Sequence, residues 1–198
     1  KVPRICFINK MDRIGADFDR SISTIEKRLG ANPLPLQLPL GIETSYRGVI
    51  DIVTRKALVF DGVGDSEPDE MPLSEADRIN CEEARRALIE KLAESDDQIL
   101  LAYLGGEDIT ASELRAALRR VTLANVGVPV LCGSALRNKG VQLLLNAVID
   151  YLPSPFDVPP VRAIDANSGL EVSRLAKDDE PFAALAFKVV TDPFVGRL

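Results

Sequence analysis

The sequence predicts an α/β fold: a parallel sheet flanked by helices, with an inserted α+β subdomain and a β-rich segment after it. Two short apolar runs, residues 2–8 and 128–132, are typical of buried parallel strands. Each run ends in a polar loop that is followed by an amphipathic helix. The residues between these two units have strand and helix patterns of their own, which indicates a subdomain inserted into the sheet.

The first unit has the order strand, loop and helix. After the loop at 9–13, apolar residues recur at helical spacing in one stripe (Phe18, Ile22, Ile25 and Leu29). Gly30 stands where a helix end favours a left-handed residue, and Asn32-Pro33 then breaks the pattern. Another parallel strand is expected to follow, and the best candidate is the run at 128–132.

The insert is expected to span residues 34–121. Its strands are predicted at 36–40, 48–53 and 56–60, an acidic loop at 61–72, and helices at 74–94, 97–104 and 110–123. Ser74 and Thr110 are the expected helix N-caps, because an acidic residue follows each of them three positions later.

The second unit continues with the loop at 133–140 and one more helix. Its amphipathic pattern is carried by Val141, Leu144, Leu145, Val148, Ile149 and Leu152. Pro159-Pro160 lies in a stiff linker, after which strand-like residues open a second, β-rich domain. The predicted domains are residues 1–33, 34–121, 122–157 and 158–198. Strand-like runs near both ends, at 2–8 and 187–190, lead us to expect an excerpt of a longer protein.

Composition is that of a globular protein without a membrane span. Of the 198 residues 46% are hydrophobic and 27% charged, and no apolar run approaches the roughly 18 residues that cross a bilayer. The net charge of −6 argues against binding to nucleic acid through the overall field. Three widely spaced cysteines (Cys6, Cys81 and Cys132) indicate reduced thiols. The absence of histidine argues against a histidine-dependent triad and a zinc site.

The first candidate site is the Asn-Lys-x-Asp sequence at 9–12, at the carboxyl end of a predicted strand, where open α/β sheets bind ligands. An ionised Asp12 offers two acceptor oxygens, which match the N1–H and 2-amino donors of guanine and reject adenine. Asn9 either bonds the base edge or braces the second loop. Lys10 can lay its methylene stem and charge over the purine face.

The second candidate site is Gly133-Ser134-Ala135, at the end of the other predicted parallel strand. Its small residues allow a ligand to approach the backbone closely. The Ala135 N–H can donate to guanine O6, which again excludes adenine, and Ser134 can brace Asp12. Because the two loops end strands of one sheet, the sequence predicts a guanine-binding site between them.

These loops resemble the two guanine motifs of translational GTPases, and nearly the whole chain resembles the elongation factor G family. Beyond the two loops the resemblance is carried by Val2-Pro3-Arg4-Ile5, Arg28-Leu29-Gly30-Ala31-Asn32-Pro33, Asn138-Lys139-Gly140-Val141-Gln142, residues 148–155, Asp179-Glu180-Pro181-Phe182 and residues 186–196. It is weakest at 61–94.

The resemblance implies the C-terminal half of a P-loop-type GTPase domain with an inserted subdomain, followed by the start of a β-barrel. It implies binding of GTP and GDP, docking on the ribosome through ribosomal RNA and the stalk protein, and GTP hydrolysis coupled to movement of tRNA and mRNA. It also implies a monomer in the cytoplasm or an organellar matrix, with no membrane contact. The implied nucleotide-binding residues are Asn9, Lys10, Met11, Asp12, Ser134, Ala135 and Leu136.

The sequence contains no Gly-x-x-x-x-Gly-Lys-Ser/Thr phosphate loop. In the family this loop and the switch motif precede the position of residue 1. We therefore expect the Mg²⁺ ligands and the catalytic groups to lie outside this chain, which alone would recognise guanine weakly and hydrolyse nothing.

Two other functions remain open on the sequence. One is a related ribosome-acting GTPase, such as a ribosome protection or recycling factor, and the other is a non-catalytic binding module that keeps the fold. Residues 61–97 carry thirteen acidic and four basic side chains. They form either a solvated surface or a docking surface for a partner.

Overall fold

The structure, a computed structural model, describes residues 2–61, 67–165, 168–185, 187–189, 191–192 and 196–197. The chain divides into two compact units, Lys1–Leu152 and Pro153–Leu198. The strands and helices of the first unit are β1 (Cys6–Ile8), α1 (Phe18–Leu29), β2 (Pro33–Pro35), β3 (Gln37–Leu40), β4 (Gly48–Asp51), β5 (Lys56–Val59), β6 (Asp69–Met71), α2 (Glu75–Ala93), α3 (Asp97–Gly105), α4 (Ala111–Leu123), β7 (Val128–Cys132) and α5 (Val141–Tyr151). Those of the second unit are β8 (Val161–Ile164), β9 (Glu171–Arg174), β10 (Thr191–Asp192) and β11 (Gly196–Arg197).

A three-stranded parallel sheet lies at the centre of the first unit, in the order β1–β7–β2. β1 pairs with β7 up to Ile8, which lies opposite Cys132, and β2 pairs with the other edge of β7. All five residues of β7 are buried, as expected of a central strand. Helices contact this sheet, so the predicted α/β class is confirmed.

The position of β2 corrects the predicted order of the parallel strands. The sequence predicted that 128–132 would be the next parallel strand after α1, but Pro33–Pro35 joins the sheet soon after that helix. Proline lacks the N–H of a ladder strand, which hides such a strand in a sequence. β2 lies at the edge of the sheet, where proline is tolerated. The parallel sheet thus reaches past residue 34, and the domain boundaries stay predictions.

Helix α1 begins and ends as the sequence predicts. Asp17 caps its N-terminus by accepting from the Arg20 N–H at 2.9 Å, and Gly30 ends it with a φ of +58°. The predicted apolar stripe is buried at Phe18 and Ile25, whereas Leu29 at its end is 70% exposed.

Helix α5 buries a face that is rotated from the predicted one and shares Leu144 with it. Its buried residues are Ala147 and Tyr151, and Leu144 packs against the same core. Leu145 and Ile149, which the sequence assigned to the apolar stripe, are exposed. Apolar residues occupy both faces of this helix, so spacing alone does not identify the buried face.

The insert begins with a four-stranded antiparallel sheet in the order β3–β4–β5–β6. The three predicted strands are present with shifted ends. The strand β6 corrects the prediction that residues 61–72 form a loop. Residues 62–66 of that segment lie outside the described residues. β6 is an exposed edge strand, and charged side chains there discourage pairing with another chain. One of them, Glu70, pairs with Lys56 of β5 at 2.7 Å.

The three helices predicted in the insert are confirmed as α2, α3 and α4. Ser74 and Thr110 cap α2 and α4, and Thr110 forms a full capping box with Glu113. The helices share one core with the parallel sheet, whose members include Leu34, Leu88, Leu92, Ile99, Leu114, Leu118 and Leu131.

A buried arginine holds α2 against the rest of the insert. Arg85 is 3% exposed and donates to the carbonyls of Ile52, Val53 and Ile109 at 2.9, 2.8 and 2.6 Å. Burial lowers the pKa of its guanidinium. These bonds tie the turn after β4 and the segment before α4 to the middle of α2.

In the second unit the described strands pair antiparallel, as β8–β9 and β10–β11. The strand predicted at 187–190 is not found in its described residues, 187–189, which pair with no described strand. Residues 186, 190 and 193–195 of the family-like stretch lie outside the described residues. The start of a β-barrel stays a prediction. No helix in the described ranges combines the length and the apolar character needed to cross a bilayer.

Candidate guanine-binding site

The two predicted loops meet at the carboxyl ends of β1 and β7. The Gly133 N–H donates to the Ile8 carbonyl at 3.0 Å, and the Met11 N–H donates to the Gly133 carbonyl at 3.1 Å. These bonds continue the pairing of the two strands beyond their ends. The predicted site residues 9–12 and 134–136 therefore lie on loops that the backbone joins directly.

Asp12 and Ser134 are brought together across the two loops. The bond from the Ser134 hydroxyl is the main reason why the pKa of the Asp12 carboxyl is lowered, and the charges of Arg13 and Arg137 add to it. The Arg137 Nε lies 3.9 Å from Asp12 Oδ2. Ser134 is 1% exposed, whereas the Asp12 side chain is 17% exposed. A buried hydroxyl thus holds an ionised carboxylate that reaches the surface.

The Asp12 carboxylate retains room for further donors. The protein donors that lower its pKa are the Ser134 hydroxyl and its own backbone N–H. An ionised carboxylate has about four lone-pair positions. The carboxylate therefore has acceptor capacity for a ligand that presents two donors side by side.

Asn9 braces the second loop, which is one of its two predicted roles. Its Oδ1 accepts from the Lys10 N–H at 2.8 Å and from the Ala135 N–H at 3.0 Å. The Ala135 N–H, predicted to donate to guanine O6, therefore has Asn9 as its partner here. To serve a ligand, this N–H must be shared between two acceptors, or the Asn9 side chain must turn away.

The remaining predicted residues differ in exposure. Lys10 is exposed and has a φ of +67°, a left-handed conformation that is uncommon for residues other than glycine. Leu136 is 79% exposed on the short helical turn Ala135–Arg137. Met11 is 2% exposed and packs in one core cluster with Cys132. The Met11 side chain therefore supports the loop from beneath.

The position of Gly133 requires a residue without a side chain, because other parts of the protein pack closely against it. A Cβ at this position would lie 2.3 Å from the Lys139 carbonyl oxygen and 2.5 Å from Phe7 Cζ. The sequence explained its size by the approach of a ligand, and the structure gives a different cause. Gly133 allows the second loop to close tightly over β1.

The thiols near the site are buried core groups, as the sequence indicated. Cys132 is fully buried, and burial raises its pKa to about 12. Its N–H donates to Gln37 Oε1 at 3.1 Å. Burial also raises the pKa of the half-buried Cys6. Both residues therefore remain thiols near neutral pH.

A metal site is not found in the described part of the chain, where no cluster of acidic, histidine or cysteine side chains could hold an ion. Asp12 is the one carboxylate among the predicted site residues, and it is bonded to Ser134. The described residues therefore provide no ligand set for Mg²⁺, whose ligands the family resemblance implies lie in other segments.

Two contacts from the insert reach these loops, and neither was predicted. The Gly15 N–H donates to Glu43 Oε1 at 2.7 Å, and Lys139 Nζ donates to the Tyr46 carbonyl at 2.9 Å. Lys139 Nζ also lies 6.0 Å from the centre of the Tyr46 ring. The bonded partners are 28 and 93 residues apart, so no local pattern in the sequence identifies them.

Comparison with known proteins gives a family and a structural relative. The family model described as the elongation factor Tu GTP binding domain matches residues 1–154. A crystal structure of a protein from Thermus thermophilus superposes with a TM-score of 0.72 at 28% sequence identity. The alignment covers 98% of this chain and 26% of that protein, so this chain spans about a quarter of its length.

Proposed function

This chain belongs to the elongation factor Tu GTP-binding domain family, and on that basis we propose that residues 9–12 and 134–136 bind the guanine base of GTP and GDP. The observation that carries the proposal is the Asp12 carboxylate, which is ionised, braced by Ser134 and left with acceptor positions. It stands where two neighbouring parallel strands end, which is where open α/β sheets bind ligands.

In this proposal Asp12 selects guanine by accepting from the N1–H and from the 2-amino group. Adenine has an acceptor at N1 and no 2-amino group, so the carboxylate would face a lone pair. Each charge-assisted bond contributes roughly 1.5–3 kcal/mol. A site built on such bonds rejects an analogue that lacks the donors by roughly 10⁴-fold.

The other residues position the base. The Ala135 N–H, shared with Asn9 Oδ1, donates to O6, and the exposed Lys10 covers the purine face with its stem and charge. Leu136 adds apolar contact beside Ala135. Met11 supports the first loop from the core.

We propose further that the full-length protein is a monomeric translocation factor of the elongation factor G type. The resemblance of the sequence supports this role. GTP hydrolysis is then coupled to movement of tRNA and mRNA on the ribosome, with the insert facing the stalk protein. The phosphate loop, the Mg²⁺ ligands and the catalytic groups come from other segments, so this chain alone does not hydrolyse GTP.

The substitution Asp12→Asn in the full-length protein tests the assignment of the base site. Xanthine has a carbonyl where guanine has its 2-amino group, so the amide donor of asparagine suits it better. We expect GDP binding to weaken by about 100-fold and binding of xanthosine diphosphate to strengthen, since one charge-assisted bond is lost and a new bond is gained. Competition against a fluorescent GDP analogue measures both affinities.

Asp19→Asn is the matched control, because Asp19 is an exposed carboxylate in the first turn of α1. It should leave both affinities within about twofold, as surface substitutions usually do. Unchanged GDP affinity in Asp12→Asn would remove Asp12 from the site. Loss of GDP with no gain for xanthosine diphosphate would contradict the proposed pairing with the 2-amino group.

A further inference from the structure

The connection between β3 and β4, residues 41–47, contacts both loops of the candidate site, and we call it the bracing loop. The first loop is the whole connection between β1 and α1, residues 9–17, and the second is the connection between β7 and α5, residues 133–140. Its Glu43 carboxylate accepts from the Gly15 N–H in the first loop, and its Tyr46 carbonyl accepts from Lys139 Nζ in the second loop. A single turn of the insert therefore spans the two halves of the candidate site.

The bracing loop is held in one shape by its own bonds. Gly41 has a φ of +84°, and a Cβ there would lie 2.2 Å from the Ser45 carbonyl oxygen. The Ser45 hydroxyl donates to the Ile42 carbonyl at 2.7 Å and accepts from the Ile42 N–H at 3.0 Å. Glu43 has a φ of +49°, which is uncommon for a residue with a side chain. The loop thus presents Glu43 and Tyr46 from a preset turn.

Packing beneath the loop joins the same parts. Tyr46 is 2% exposed and lies in one apolar cluster with Met11 of the first loop and Cys132 before the second. The same cluster contains Val49, Leu58 and Phe60 of the insert and Phe18 of α1. The insert therefore forms a platform under both loops, and the two polar contacts of the bracing loop fix the platform to them.

Each polar contact leads to Asp12 by a short path. Gly15 follows Asp12 by three residues in the first loop. Lys139 exchanges two backbone bonds with Ser134, at 2.9 and 3.0 Å, and the Ser134 hydroxyl bonds the Asp12 carboxylate. A shift of the bracing loop would therefore move Asp12 from both sides.

We propose that Glu43 and the Tyr46 carbonyl are positioning groups that set the orientation of the Asp12 carboxylate, and with it the preference for a purine that carries a 2-amino group. The inference rests on the proposed function, since it assumes that Asp12 bonds guanine. In this proposal the insert contributes to base selectivity, and this contribution does not depend on any partner protein that the insert binds.

The variant Glu43→Ala in the full-length protein tests the proposal, with Glu43→Gln as the matched control. Alanine removes the acceptor for Gly15, whereas glutamine keeps an Oε1 in the same place. Dissociation constants are measured for GDP and for inosine diphosphate, which lacks the 2-amino group. We expect alanine to weaken GDP about tenfold and inosine diphosphate about twofold, and glutamine to change each by less than about threefold.

A second pair of variants tests the other contact. Lys139→Met removes the donor to the Tyr46 carbonyl and keeps the length of the side chain, whereas Lys139→Arg keeps a cationic donor. The preference for GDP over inosine diphosphate should fall about threefold in Lys139→Met and by less than about twofold in Lys139→Arg.

The possible outcomes distinguish a failure of this inference from a failure of the proposed function on which it rests. A wild-type protein that does not prefer GDP over inosine diphosphate contradicts the proposed function itself. A wild-type preference with equal loss of both nucleotides in Glu43→Ala overturns the inference, because a merely structural role lowers both affinities alike. If thermal unfolding without nucleotide shows that Glu43→Ala does not fold, Glu43→Asp, one methylene shorter, is measured instead, and an unchanged preference in that variant also overturns it.

Discussion

The two loops of the candidate site and the helices of the insert use charged side chains in opposite ways. In α2 the Arg85 guanidinium donates to three backbone carbonyls and is 3% exposed. In the first loop the Asp12 carboxylate accepts from one hydroxyl and from its own N–H, and 17% of the side chain is exposed. Both groups are held in place, but only Asp12 keeps unused hydrogen-bonding positions that face outward.

The difference teaches how to separate a structural charge from a binding charge. A buried charge that donates to backbone carbonyls and is shielded from solvent is out of reach of a ligand, although the Nε of Arg85 itself has no hydrogen-bond partner in the described residues. Removal of such a charge leaves buried carbonyls without partners. A charged side chain that the protein holds on one side and leaves exposed on the other contributes little to stability. Its replacement should therefore lower the free energy of unfolding only slightly. Substitutions in the two regions should therefore affect different measurements, stability in the insert and nucleotide selectivity in the loops.

The largest effect is expected from Arg85→Leu. Its loss leaves the carbonyls of Ile52, Val53 and Ile109 unpaired in the core, so the free energy of unfolding should fall by about 3–5 kcal/mol. Arg86→Leu, one residue along α2, removes an exposed pair with Glu90 and should cost less than about 0.5 kcal/mol. Urea denaturation followed by circular dichroism measures both.

An Arg85→Leu protein as stable as Arg86→Leu would break the comparison, because Arg85 would then have no structural role. Asp12→Asn tests the same comparison in the candidate site. That variant should change the free energy of unfolding by less than about 1 kcal/mol while it changes nucleotide preference.

The next effect concerns close packing at the end of β7. Gly133→Ala places a Cβ against the Lys139 carbonyl and the Phe7 ring, and overpacking of this kind should lower the free energy of unfolding by about 2–3 kcal/mol. Gly105→Ala in α3 is the control from the insert, since a Cβ there meets Glu107 Oε1 at an ordinary 3.6 Å. It should be neutral or stabilising by up to about 1 kcal/mol. The two transitions are compared by urea denaturation.

Equal stability of the two glycine variants would show that the second loop yields easily to the added carbon. The loops would then be less rigid than the contacts across Gly133 indicate. Phe7→Leu in the Gly133→Ala background provides a further check. It should restore only part of the loss, because the Lys139 carbonyl belongs to the backbone and cannot move away as a side chain can.

The features that the sequence predicted correctly depend on patterns among residues that lie close together in the chain. Asn9 and Asp12 stand within four positions after an apolar run, and the Thr110 capping box needs only a spacing of three. The contacts of Glu43 with Gly15 and of Tyr46 with Lys139 have no such local signal, because the fold alone brings these partners together.

Two errors in the structure predicted from the sequence, at β2 and at α5, have specific physical causes. Pro33 and Pro35 hide the edge strand β2, because proline usually argues against a strand. In α5 both faces carry apolar residues, and the buried one is chosen by contact with the core around Tyr151, which helical spacing cannot reveal. The α/β class survived both errors, since it depends on the apolar runs at β1 and β7.

The smallest effect is expected at Asp96, where the insert again uses a charge for structure. Its side chain is 5% exposed and accepts from Arg120 Nε and Nη2 at 2.7 and 2.9 Å. The bond from Arg120, followed by the Ile99 N–H, lowers the pKa of Asp96. At pH 7 Asp96→Asn should lower the free energy of unfolding by about 1–2 kcal/mol, because a charge-assisted bond becomes a neutral one while the cap acceptor for Ile99 remains.

The pH dependence of this loss follows from the direction of the shift. A carboxyl whose folded pKa is depressed stabilises the protein fully above its unfolded pKa of about 3.9, and the contribution disappears as the pH falls through the lower folded value. The difference between wild type and Asp96→Asn should therefore shrink below about pH 4 in urea titrations. Asp97→Asn, at the exposed neighbouring position, is the control and should lower the free energy of unfolding by less than about 0.5 kcal/mol at pH 7. A loss in Asp96→Asn that persisted undiminished to about pH 2 would mean that side-chain shape matters there and charge does not. The contrast between the insert and the loops of the candidate site would then hold for Arg85 alone.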